Sequence, residues 1–154
     1  MKEIPLKRHL EDLVEGRAQH PPVAELVGYR WTRLEPDRAT VELTVKPGHA
    51  NLMGTVHGGI FCVAADAAMG GAYATGLADD EVHTTLELKI NFLRPVWRGR
   101  LTAKGKVIKR GRRVGLCEAE VFDQKGRLVA KASGTLMTLR GEDARRRREN
   151  PPQP

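Results

Sequence analysis

The sequence predicts an α+β chain in which a curved antiparallel sheet wraps one long, buried helix. Three observations carry this expectation. The run from His57 to Leu77 is rich in Gly and Ala, is apolar all round, and holds one carboxylate. Strand-like segments lie on both sides of it, two before and four after. The last three of these are separated by tight turns, the usual link between antiparallel neighbours. A chain of 154 residues fits one such domain.

Residues 4–16 read as a short amphipathic helix, with Ile4, Leu6, Leu10, Leu13 and Val14 roughly on one face. Pro21-Pro22 ends that unit. Residues 23–36 read as a strand, and a turn at Glu35-Pro36-Asp37-Arg38 follows. Residues 39–45 alternate, placing Val41, Leu43 and Val45 on one face of a second strand. Pro47-Gly48 closes it, and residues 49–56 form a loop. The helix expected over 57–77 has no polar face, so it should be buried on every side. Its glycines weaken it in isolation. They make sense if other backbone packs very close.

Beyond Asp79-Asp80, Leu86, Leu88, Ile90 and Phe92 alternate with Glu87, Lys89 and Asn91. Strands follow at about 100–109, 113–123 and 127–139, with turns at Arg110-Gly111-Arg112 and Gln124-Lys125-Gly126. From Gly141 the chain is charged and Pro-rich, a composition that predicts no fixed structure. The expected organisation is a helix and linker over 1–20, the main domain over 21–140, and an unstructured tail over 141–154.

Composition narrows the partners. A formal net charge of +7 suggests an anionic one: nucleic acid, an acidic membrane surface or a phosphorylated ligand. The stretch 88–117 holds ten Lys and Arg and no acid, but Phe92 and Trp97 are its only aromatic rings, too few to interleave as a base-stacking surface, which argues against nucleic acid. The N-terminus has no apolar signal segment. The apolar run 54–78 contains His57 and Asp66 and makes a poor membrane span. Cys62 and Cys117 show neither metal nor redox spacing, and the remaining histidines show no metal spacing either. The expectation is a cytoplasmic chain in a reducing compartment, with no metal or redox cofactor.

The chemistry concentrates around the long helix. Asp66 sits mid-helix among Ala, Val and Met, and a buried carboxylate without a partner costs several kcal/mol. It therefore has either hydrogen bonds or a task. His57-Gly58-Gly59 stands at the helix start, where the first N–H groups have no partner inside the helix and face out from the positive end of the dipole. Two glycines leave that tip uncovered, so Gly58 N–H could receive a carbonyl oxygen, as an oxyanion hole does. Eight residues separate Gly58 from Asp66, about 12 Å along a helix. Attack needs a separation of about 3–3.5 Å. If both act on one carbonyl, they come from different subunits, so the sequence predicts at least a dimer.

At this point Asn51-x-x-Gly54-x-x-His57-Gly58-Gly59, followed by Asp66-x-Ala68, resembles the hot-dog-fold acyl-CoA thioesterases of the phenylacetate-pathway type. The resemblance spans about residues 20–139 and includes the strand order. It implies hydrolysis of an acyl-CoA to free acid and CoA, by a homotetramer of paired dimers. It implies that Asn51 and Gly58 polarise the thioester carbonyl, that His57 helps to position the substrate, and that Asp66 activates water or attacks directly.

Relatives also carry a hydroxyl at the start of the next strand. Alignment on Pro95 places Thr85 there, yet Thr85 has the opposite parity to the Leu86–Phe92 apolar row, so Thr84 is a rival. Gly59, Arg94 and the turn cluster Arg110, Arg112 and Arg113 are candidates for binding substrate and the phosphates of CoA. The alternatives are a hot-dog hydratase or dehydratase, which needs a His base, and a non-enzymatic acyl-CoA-binding protein.

Overall fold

The computed structural model describes residues 4–149. Helices α1 (Leu6–Val14) and α2 (Pro22–Val27) lead into strands β1 (Tyr29–Glu35) and β2 (Arg38–Thr44). A one-turn 3-10 helix at Pro47–His49 precedes the long helix α3 (Gly58–Ala74). Strands β3 (Val82–Phe92), β4 (Arg100–Arg110), β5 (Val114–Phe122) and β6 (Leu128–Leu139) follow, and α4 (Gly141–Glu149) ends the described chain. The six strands form one sheet in the order β1-β2-β4-β5-β6-β3, with every pair antiparallel.

The sheet curls around α3. Val41, Leu43, Leu101, Ala103, Cys117, Ala119, Val121 and Leu136 are buried beneath it. These inward residues alternate along each strand, as a half-buried sheet requires. The close approach is made by the sheet. A Cβ on Gly105 of β4 would lie 2.2 Å from the Ala68 carbonyl oxygen, so only glycine lets the strand reach the helix backbone there. The glycines of α3 receive side chains instead: Trp31 lies on Gly71 and His83 on Gly70. The expectation of backbone packed against the helix glycines is corrected accordingly.

Three other expectations change. Residues 23–36 are not one strand. Pro22 sits in the first turn of α2, where its missing N–H costs nothing, and Gly28 ends the helix at φ 85°. The charged tail is helical over Gly141–Glu149, with Glu142 and Asp143 in the first turn facing the helix dipole and Ala144 buried. The part of the expected tail over 150–154 lies outside the described residues.

Lastly, α3 is not buried on every side. Its second half is sealed from Ala68 to Ala74, but Gly59, Cys62, Val63 and Asp66 keep partial exposure along one stripe. Among the described residues the edge strand β3 pairs only with β6, and Leu86, Phe92 and Leu93 in and beside it are exposed.

Candidate active site

The loop before α3 is fixed by its own polar groups. His49 is buried, and its Nδ1 accepts from Lys46 N–H at 3.1 Å. Its carbonyl accepts from His57 N–H at 2.8 Å, which ties the loop to the helix start. The Asn51 carboxamide closes the intervening turn. Its oxygen accepts from Met53 N–H (2.9 Å) and Thr55 N–H (3.2 Å), and its nitrogen donates to Thr55 Oγ1 (2.9 Å). An amide nitrogen carries two hydrogens, so one donor remains on Asn51. Much of this side chain is therefore spent on its own loop. His49 was missed by sequence reasoning, because nothing in a lone His marks it as a loop clasp.

His57 is the N-cap of α3, and its Nδ1 accepts from Gly59 N–H at 2.9 Å. That bond has two consequences. The neutral ring with an accepting Nδ1 carries its proton on Nε2, so His57 faces outward as a donor. Gly59 N–H is no longer available to a ligand. Ile60 N–H goes to His57 O at 2.9 Å, and no hydrogen bond among the described residues takes Gly58 N–H. The Phe92 ring lies against Gly58, where a Cβ would be 2.8 Å from its tip. Phe92 in turn meets Phe61 with ring centroids 5.9 Å apart. The bare helix tip thus has an aromatic neighbour, which residue type alone did not reveal.

Asp66 faces β3. Thr85 Oγ1 donates to Asp66 Oδ1 at 2.8 Å, and the second carboxylate oxygen has no hydrogen bond among the described residues. The parity objection to Thr85 disappears at a β-bulge: Thr85 pairs with Leu136, Glu87 pairs with Thr135, and Leu86 is the extra residue between them. A bulge of one residue re-aims the chain before it. His83 and Thr85 therefore share the inward face with Leu88 and Ile90. Thr84 points elsewhere and meets Arg147 at 3.3 Å.

Asp66 and Thr85 line a cleft of about 340 Å³. Its other walls include Leu10 and Leu13 of α1, Trp31 of β1, Gly70 of α3 and His83 of β3. Trp31 is held there by its Nε1–H, which donates to Ala67 O at 2.9 Å. The Asp66 charge reaches its neighbours. Burial, then this charge, push the Tyr29 phenol and the Cys62 thiol above their ordinary values. Cys62 is thereby kept as a thiol rather than a thiolate.

The basic candidates are not together. Arg110 lies at the far end of α3 from Gly58. Its guanidinium donates to Tyr73 O (2.9 Å) and Asp37 (2.8 Å) and stacks 4.3 Å from the Tyr73 ring centroid. A cation at a helix C-terminus is favourable there; Nη2 makes both bonds, and Nη1 is buried with no hydrogen bond among the described residues. Arg112 and Arg113 are exposed in the β4–β5 turn beside it. Arg94 alone stands at the Gly58 end, just beyond Phe92, and it is exposed. Within one chain, then, the expected CoA-binding set divides between the two ends of α3. No group of three or more potential metal ligands occurs among the described residues, and none of their helices is long and apolar enough to cross a membrane.

Comparison with known proteins agrees with this architecture. Residues 53–130 match the family described as the thioesterase superfamily. A candidate esterase of Saccharolobus solfataricus is 42% identical over 107 residues, 70% of this chain and 76% of its own. A medium/long-chain acyl-CoA thioesterase of Escherichia coli is 25% identical over 133 residues, 77% of this chain and 86% of its own. A mutant of the phenylacetic acid degradation protein PaaI from Thermus thermophilus superposes with a TM-score of 0.69 at 30% identity, covering 76% of this chain and 98% of that one. With the helix-wrapping sheet, these matches show that the chain belongs to the thioesterase superfamily, in its hot-dog fold and of the PaaI-like type.

Proposed function

We propose that this hydrolase cleaves acyl-CoA thioesters at composite sites, each built by two copies of the chain. The observation that carries the reading is the placement of two complementary half-sites on one helix. Asp66, hydrogen-bonded by Thr85, opens on an apolar cleft, and Gly58 N–H stands unpaired about 12 Å away. Antiparallel pairing of two α3 helices across the half-exposed stripe would bring Asp66 of one copy to Gly58 of the other. The unpaired edge of β3, with its exposed apolar residues, favours the same association, because such an edge is a template for pairing. Pairing of two dimers into a tetramer is the further expectation.

In this mechanism the thioester carbonyl oxygen rests on Gly58 N–H, with the spare hydrogen of Asn51 Nδ2 and His57 Nε2–H nearby in sequence. Asp66 removes a proton from a water as its oxygen bonds to the carbonyl carbon. Charge moves onto the carbonyl oxygen and is received by the helix tip. The tetrahedral intermediate collapses, the C–S bond breaks, and the sulfur leaves with the electron pair and takes a proton. Direct attack by Asp66 would pass instead through a mixed anhydride that water then opens. A single turnover in ¹⁸O-water bears on the two routes: direct water attack puts the label into the released acid, whereas an anhydride opened at the Asp66 carbonyl leaves it on the enzyme. Arg94, Arg112 and Arg113 are exposed and suited to the phosphates of CoA.

The hydratase alternative needs a His base in the site. His57 is a cap whose Nδ1 already accepts a hydrogen bond, which leaves a donor and not a base. The deciding test is release of free thiol from a panel of acyl-CoA thioesters by wild type and Asp66→Asn. Activity in the first and loss of at least a hundredfold in the second is expected. A wild type that leaves every thioester intact would overturn the reading.

A further inference from the structure

Among the polar side chains that line the cleft behind Asp66, His83 is one that neither the fold nor the proposed reaction uses. His83 is on β3, two residues before Thr85 and on the same inward face. Its ring packs edge-on against Tyr73, with centroids 5.8 Å apart. Neither ring nitrogen has a hydrogen bond among the described residues, and Nδ1 is sealed from solvent. Nε2 lies over the bare Cα of Gly70, where a Cβ would stand only 3.0 Å from it. Gly70 and His83 both line the cleft, so Nε2 is the nitrogen presented to it. Polar groups this deep in a protein are normally satisfied, and one left unpaired in a cavity marks a place for a ligand atom.

The charge state and tautomer follow from the surroundings. Burial first, then the charges of Arg110 and Arg147, lower the His83 pKa to about 4, so the ring is neutral near pH 7. Orphaned N–H groups are rarer in proteins than orphaned acceptors. The proton therefore belongs on Nε2, facing the cleft, rather than on the sealed Nδ1. The rest of the pocket is mostly apolar, with Leu10, Leu13 and Trp31 on the α1 and β1 side.

Resting on the thioesterase reading, we propose that this cleft holds the acyl group and that His83 Nε2–H donates a hydrogen bond to an oxygen carried on it. The substrate class is then oxygen-bearing acyl thioesters, with a keto, hydroxyl or ether oxygen part-way along an otherwise apolar chain or ring. Spacing fixes where that oxygen lies. Asp66 and Gly70 are one helical turn apart, about 6 Å, and Thr85 and His83 are two strand residues apart, about 7 Å. The oxygen therefore sits a few bonds beyond the thioester carbonyl. The bond exists before and during the reaction alike, so it lowers KM and leaves kcat little changed.

The test compares hexanoyl-CoA with 5-oxohexanoyl-CoA, whose added oxygen can only accept. Wild type is expected to favour the oxo ester in kcat/KM by about tenfold or more, through KM. His83→Phe should bring that ratio to about one, and His83→Gln, which keeps an N–H donor, should retain part of it. Binding to Asp66→Asn by calorimetry gives a readout independent of turnover, and the same preference is expected there. Preferential binding of the oxo ester without hydrolysis of either would keep the His83 assignment and remove the thioesterase reading. Equal affinity of Asp66→Asn for the two esters would overturn the His83 assignment, whether or not they are hydrolysed and however the His83 variants behave.

Discussion

The hydroxyl of Thr85 donates to Asp66 Oδ1 at 2.8 Å, across the gap between the edge strand and the central helix. This bond leaves one carboxylate oxygen free toward the cleft and fixes the plane of the other. Thr85→Val keeps the shape and removes the donor. A hydrogen bond to a charged group is worth about 1.5–3 kcal/mol, so kcat/KM should fall about tenfold to a hundredfold. Thr85→Ser should recover most of it. Steady-state hydrolysis of any accepted acyl-CoA measures both, and unchanged activity in Thr85→Val would remove Thr85 from the site.

The proposed two-copy site has a direct test by subunit mixing. Asp66→Asn and Gly58→Val chains are each expected to be nearly inactive alone. Denatured together and refolded, half the dimers should be mixed, and each mixed dimer rebuilds one intact site from the unmutated Asp66 and Gly58. Activity should return to about a quarter of wild type. If each site lies within one chain, the mixture stays inactive. Sedimentation of the wild type should show a dimer or larger at micromolar concentration.

Gly105 should tolerate no side chain. The Cβ of Gly105→Ala would stand 2.2 Å from the Ala68 carbonyl oxygen and 2.7 Å from Met69 N, both backbone atoms of α3. Overpacking against side chains costs about 1–3 kcal/mol, and here no flexible atom can retreat. A loss of about 3 kcal/mol or more in urea denaturation is expected. Gly126→Ala is the comparison: nothing lies near its Cβ position, and only its φ of 74° opposes the change.

Acid should weaken the fold through His83. Its pKa is about 4 in the native chain, against an ordinary value of 6.5. Between those values the unfolded chain takes up a proton that the native chain refuses, so stability falls as pH drops from 6.5 to 4. It is fully present above that window, and the total change is about 3 kcal/mol. Other groups also titrate in this range, so the measurement is a difference. Denaturation of wild type and His83→Phe is followed from pH 7 to pH 4, and the variant should show the shallower decline.

Much of this arrangement was legible in the residues. Alternation and tight turns placed β2, β4, β5 and β6, and the all-apolar segment with its one acid marked α3. What escaped had long-range or irregular causes. The bulge at Leu86 reverses side-chain parity within β3, and no propensity announces it, which is why Thr84 stood as a rival to Thr85. Residues 23–36 mixed Val, Leu, Tyr and Trp into a strand-like run. Pro22 and Gly28 bracket a helical turn within that run, and six residues are too few for periodicity to show. Arg110 read as a phosphate ligand because its turn is basic. Only the folded chain brings the end of α3 under it, where Nη2 bonds the Tyr73 carbonyl and the guanidinium stacks on the Tyr73 ring. Gly59 reads as a ligand contact from its motif, and only the fold shows that its N–H goes to the His57 ring.

The contact of Gly105 with the Ala68 carbonyl works as a mechanical stop. The helix can neither slide along its axis nor rotate without driving backbone into backbone, so Asp66, two residues upstream, inherits its position from the centre of the sheet. Segments remote from that anchor, such as α1, which lines the Asp66 cleft with Leu10 and Leu13, carry no such backbone constraint. In the proposed reaction, that wall can be rebuilt for a different acyl group while the Asp66 carboxylate stays in register.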